Sequence, residues 1–148
     1  GHLVLSPLHT NDAPSAISRL QELGIAYYLI KATLLGVMAQ RLVRLLCPRC
    51  KRTTGGNDTE AIGCAECRDS GYRGRTGVYE IMVLDDALKS LITPGTDVQA
   101  LRRAALQQGM CSLRMAGMHK VEAGLTSLAE ILRTTPGDSE TNPLAVGR

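Results

Sequence analysis

Four cysteines arranged in two pairs carry the most specific chemistry in this chain. Cys47-Pro48-Arg49-Cys50 is followed by thirteen residues and then by Cys64-Ala65-Glu66-Cys67. A two-residue gap lets both sulfurs of one knuckle reach the same ion at about 2.3 Å, and two knuckles supply the four soft ligands of a tetrahedral Zn²⁺ site. Between them stand Thr53, Thr54, Gly55, Gly56, Asn57 and Asp58, turn formers with no apolar face. A tip of that composition has no core of its own, so a metal is its expected brace.

The competing readings are two disulfides, four unrelated thiols, or a redox site. Disulfides within such knuckles are strained, and no signal peptide points to an oxidising compartment. Redox motifs usually use one Cys-x-x-Cys, with its first cysteine at a helix start. Four thiolates leave no open position for substrate or water, which argues against a catalytic zinc. The spacing therefore favours structural zinc on Cys47, Cys50, Cys64 and Cys67.

The elements that position these residues follow from local pattern. His2-Leu3-Val4-Leu5-Ser6 reads as a buried parallel strand that Pro7 stops. A chain that opens inside a strand, without a start methionine, reads as a piece of a longer protein. Asn11 or Asp12 caps a helix whose first turn holds Pro14 and which Gly24 ends. A second helix runs from Tyr27 to about Leu35 and breaks at Gly36. Val37 to Leu46 and Thr76 to Val83 read as two strands, giving an antiparallel hairpin stapled at its tip by metal. Gly71 and Gly74 suit tight turns of positive φ.

From Asp85 the pattern is helical. Asp85 caps a short helix ending near Ile92, and Thr96 or Asp97 starts another that Gly109 stops. A third covers Leu113 to Ala123, and Thr126 or Ser127 caps the last. Cys111, among Met110, Leu113 and Met115, reads as a small core residue. The expected organisation is thus α/β: residues 1–46, a zinc module at 47–75, a return strand at 76–84, an all-α subdomain at 85–134, and a flexible tail at 135–148.

Composition narrows the function classes. Hydrophobic residues make up 44% of the 148, and no apolar run approaches the roughly 20 residues of a membrane helix, so a soluble globular protein is expected. The formal charge of +3 falls to about +1 once four thiolates and a Zn²⁺ are counted. The cationic side chains Arg49, Lys51, Arg52, Arg68, Arg73 and Arg75 surround the cysteines and read first as compensation for that negative centre, ahead of a phosphate-binding patch. The only aromatics are Tyr27, Tyr28, Tyr72 and Tyr79, a poor platform for stacking bases. A zinc-ribbon nucleic-acid module is the alternative, and it is less well supported. A chaperone-type zinc module would need more than the one cysteine unit present.

Several stretches together resemble one family. They are Gly1-His2-Leu3-Val4-Leu5-Ser6 with Leu8-His9-Thr10-Asn11-Asp12-Ala13, then Ala39-Gln40-Arg41-Leu42-Val43-Arg44, the double knuckle, and Gly71-Tyr72-Arg73-Gly74-Arg75-Thr76-Gly77-Val78-Tyr79-Glu80. In this order they resemble the C-terminal part of the bacterial ATPases of type II secretion and type IV pilus assembly, over about residues 1–134. The resemblance implies a hexameric cytoplasmic motor with a RecA-like core, of which residues 1–46 would be the C-terminal edge. It implies a histidine box in which His9 senses the nucleotide's terminal phosphate and His2 supports the site. Pro7 stands where the family usually has Thr. The four cysteines would hold structural Zn²⁺ and stiffen an arm that meets an inner-membrane platform or assembly protein, placing the motor peripherally at that membrane. ATP and Mg²⁺ would belong to the full-length parent alone. No Gly-x-x-x-x-Gly-Lys-Ser/Thr occurs in this sequence, so the fragment is expected not to hydrolyse ATP. It is also expected to be a monomer or weak dimer and to bind no nucleic acid.

Overall fold

Five of the six described helices begin where a short polar side chain satisfies a free N–H group of the first turn, and the helix that follows Ala26 is the exception. The structure, a computed structural model, describes residues 2–55 and 58–137. Helix α1 (Ser15–Glu22) follows Pro14, and Asp12 Oδ1 accepts the Ser15 N–H at 2.9 Å. Gly24, at φ +85°, ends that helix as expected. Helix α2 is Tyr27–Thr33. Later, Asp85 caps α3 (Asp86–Ser90), Asp97 caps α4 (Val98–Gln107), Ser112 caps α5 (Leu113–Glu122) and Ser127 caps α6 (Leu128–Thr134).

Strands β1 (Gly36–Leu46) and β4 (Tyr72–Val83) form one two-stranded sheet. The Leu84 N–H bonds Leu35 O at one end and the Cys47 N–H bonds Gly71 O at the other, so the strands run antiparallel. The fold is therefore mixed α/β, with six helices among the described residues. Among those residues no helix is long and apolar enough to cross a membrane.

Chain contacts divide the described residues into two compact units. The first comprises residues up to Ala39 with Glu80–Met110, the second Gln40–Tyr79 with residues from Cys111 onward. The helices of 85–134 are thus shared out, α3 and α4 to the first unit and α5 and α6 to the second. In the first, Ala13, Ile17, Ile30, Met82, Leu88, Ile92 and Leu101 are buried. Asp12 pairs with Arg102 at 2.6 Å, and the buried Glu80 carboxylate accepts the Ala13 N–H at 2.7 Å. In the second, Val43, Val78, Leu113, Val121 and Ile131 form the core, and Gly117 of α5 lies so close to Ile131 of α6 that a Cβ there would sit 2.8 Å from its side chain.

Four sequence expectations change. Residues 2–6 form no strand, and Leu3, Val4 and Leu5 are 77%, 78% and 89% exposed. An extended apolar run becomes a buried strand when a neighbour takes up its N–H and C=O groups, and none pairs with it among the described residues. Within 1–46, where a RecA-like edge is expected, Gly36–Leu46 is the one stretch among the described residues that joins a sheet, and its partner there is β4. The stretch between the knuckles is not a plain loop: β2 (Arg52–Gly55) pairs antiparallel with β3 (Asp58–Glu60), Thr53 opposite Thr59. The second strand of the main hairpin starts at Tyr72 rather than Thr76. Cys111 is half-buried rather than a core residue. Gly1, Gly56, Asn57 and the expected tail from 138 onward lie outside the described residues.

Candidate metal centre

The first knuckle closes as β1 ends. Cys47 O accepts the N–H groups of Cys50 at 3.3 Å and Lys51 at 3.0 Å, a turn that brings both cysteine side chains to one side. The second is a short 3₁₀ turn, Ala65–Cys67, after which Arg68 and Asp69 both take left-handed backbone at φ 54° and 57°. Cys64 O accepts the N–H groups of Cys67 at 3.2 Å and Asp69 at 2.9 Å. Gly71 then lies so close to Ala61 that a Cβ would come within 2.5 Å of the Ala61 Cβ. Glycine is required there twice over, by contact and by its φ of +72°.

These turns gather the four sulfurs so that all lie within 4.8 Å of one another. Cys47 and Cys64 are 4.0 Å apart, Cys50 and Cys67 3.7 Å, Cys64 and Cys67 3.7 Å. Sulfurs at the corners of a tetrahedron with metal bonds of about 2.3 Å stand about 3.8 Å apart. A disulfide would need about 2.05 Å, and all four thiols are free. The sequence-based ligand set thus meets at one point, with the all-sulfur character that suits zinc.

The surroundings prepare the sulfurs for a cation. The N–H groups of Cys64 and Gly71 both point at Cys67 Sγ, each at 3.2 Å. Burial pushes the Cys67 thiol up, but those two donors, with the Cys64 and Cys50 side chains, outweigh it and bring it down to about 6. At Cys50 desolvation prevails over a backbone contact from Gly63 and pushes the thiol up to about 12. Cys67 therefore favours the thiolate and Cys50 the thiol, and a bound cation would draw the proton from Cys50.

The nearby cations divide their roles. Arg49 and Arg73 both pair with Glu66, between the cysteines of the second knuckle. Lys51 donates to Gly124 O at 3.0 Å. Arg52, Arg68 and Arg75 are exposed. His2 and His9 lie on exposed backbone ahead of α1, in the first unit, whereas the cysteines belong to the second. Spacing did not reveal the part played by Gly71, whose N–H meets Cys67 and whose C=O meets Cys47. Its neighbouring Ser-Gly-Tyr turn pattern was the available signal.

The family described as "Type II/IV secretion system protein" matches residues 1–133, and the chain belongs to it. Among curated relatives, the type IV pilus assembly ATPase TfpB of Acinetobacter baylyi is 46% identical, covering 92% of this chain and 26% of that protein. The type II secretion system protein HxcR of Pseudomonas aeruginosa is 47% identical, covering 91% and 29%. The type II secretion system ATPase E of Vibrio cholerae is 42% identical, covering 91% and 30%. The chain thus spans between about a quarter and a third of the length of these relatives.

Proposed function

We propose that this chain is the C-terminal part of a cytoplasmic secretion ATPase, a hexameric RecA-like motor that powers type II secretion pseudopilus or type IV pilus assembly at the inner membrane. The observation that carries the reading is the four-sulfur cluster, embedded in a chain of this family whose relatives are named as such ATPases. Zinc supplies a cross-link between the knuckles when bound. Cys47 and Cys50 would hold it from the end of β1, Cys64 and Cys67 from the turn before β4, so that the arm keeps one shape for a platform or assembly protein to meet.

The 148 residues alone do not hydrolyse ATP in this reading, because no Gly-x-x-x-x-Gly-Lys-Ser/Thr is present to cradle phosphates and present Mg²⁺. His9, with His2 behind it, senses nucleotide only in the longer motor. The family match favours this reading over a nucleic-acid module. Purified 148-residue chain tests it directly: one zinc per chain with no Mg²⁺-dependent ATP turnover is expected. Turnover above background, or absence of metal, would overturn it.

A further inference from the structure

The connection between α5 and α6, Gly124-Leu125-Thr126-Ser127, owes its position to residues at the edges of the two cysteine knuckles. Leu46, next to Cys47, donates its N–H to Leu125 O at 2.9 Å. Lys51, next to Cys50, donates through Nζ to Gly124 O at 3.0 Å. Tyr72 follows Gly71, whose N–H meets Cys67 Sγ, and its OH shares a 2.6 Å hydrogen bond with Ser127 Oγ. That same Ser127 oxygen caps α6 by accepting the Glu130 N–H at 3.2 Å. Thr126 Oγ1 completes the set by donating to Arg44 O at 2.7 Å.

Helices of 10 and 7 residues do not persist by themselves in water. Their turn must be held, and its holders flank the two knuckles: Leu46 and Lys51 on either side of the first, Tyr72 at the start of β4 beyond the second. Besides the β1–β4 pairing and the Cys47 N–H to Gly71 O hydrogen bond, what fixes one knuckle against the other is an ion shared by their sulfurs. We infer that the tetracysteine centre positions the α5–α6 pair, so that metal loading sets the order of helices that begin 46 residues after Cys67. This rests on the zinc reading above. Lys51 and Tyr72 are the positioning residues that transmit the effect.

Hydrogen exchange followed by mass spectrometry on the 148-residue chain tests the coupling, with zinc loaded and after chelation under reducing conditions. Stripping should raise exchange over residues 113–134 by about tenfold or more, together with 47–72, and leave 86–107 unchanged. A Lys51→Met, Tyr72→Phe chain keeps all four cysteines and the Tyr72 ring. It should still hold one zinc, by metal analysis, yet exchange faster over 113–134 with the knuckles unaltered. Increases confined to 47–72 on stripping, or equal increases over 86–107, overturn the coupling while leaving zinc binding intact. So does a double variant that retains zinc and wild-type exchange. A chain that holds no zinc at all overturns the metal reading and the coupling with it.

Discussion

Arg44 and Glu130, 86 positions apart, are joined by three hydrogen bonds: Arg44 Nε and Nη2 reach Glu130 Oε2 at 3.0 and 2.7 Å, and the Arg44 backbone N–H reaches Oε1 at 3.1 Å. The Arg44 guanidinium lies 4.1 Å over the Tyr72 ring, and Arg133 closes on the same carboxylate from one turn along α6, its Nη2 at 2.8 Å from Oε1. The Glu130 side chain is 0% exposed. A single carboxylate thus ties β1 to α6, inside the unit that also holds the cysteines.

Burial pushes the Glu130 carboxyl up, but Arg44, then Arg133, outweigh it and hold it down to about 2, against an ordinary 4.5. A folded pKa below the unfolded one stabilises fully above pH 4.5 and ceases to do so as pH falls through 2. The shift corresponds to about 3 kcal/mol. Glu130→Gln should therefore be less stable than wild type by about 2–3 kcal/mol at neutral pH. That gap should close toward pH 2. Urea unfolding of both chains across this range measures it; because both lose metal alike in acid, the gap reports the carboxylate. A gap that stayed constant with pH would exclude the charge as its source.

The Cys50 thiol, pushed up to about 12, and the raised Cys64 thiol are protonated near neutral pH, whereas Cys67 at about 6 is largely ionised. Zinc uptake must then release protons, and affinity should fall on acidification. Titration of the reduced chain with Zn²⁺ in weak buffer should show this release. Uptake without protons would mean that the thiols are not the ligands.

Glycine substitutions separate contact from backbone conformation. Gly71→Ala combines a φ of +72° with a Cβ 2.5 Å from Ala61 Cβ and 2.8 Å from Ala61 C. It should cost about 3 kcal/mol or more and weaken zinc binding. Gly95→Ala has a similar φ of +74° but open space around its Cβ, so it should cost about 1–2 kcal/mol and leave zinc affinity unchanged. Thermal unfolding with parallel metal competition tests both, and equal losses would remove the steric argument.

What was legible in the sequence was mostly local. Capping at Asp85, Asp97 and Ser127 depends on a side chain and an N–H two or three residues away, so short patterns reveal it. The cysteine cluster was legible because ligand spacing is itself geometry. Partnership over distance was not. Glu130 with Arg133 three residues later looks like an ordinary exposed helix pair, and nothing local marks Arg44 as its chief partner. Leu3-Val4-Leu5 has the apolar pattern of a strand, but a pattern does not supply the neighbouring strand it needs. Between the knuckles the glycines and asparagine concealed β2 and β3, where threonines at 53 and 59, facing each other, were the signal for a small hairpin.

The coordination of the four thiols is tested most directly by zinc K-edge X-ray absorption on the purified, zinc-loaded chain. The expected result is one zinc per chain with four sulfur neighbours at about 2.3 Å. A shell containing nitrogen or oxygen, fewer than four sulfurs, or a chain that retains no zinc would contradict the site.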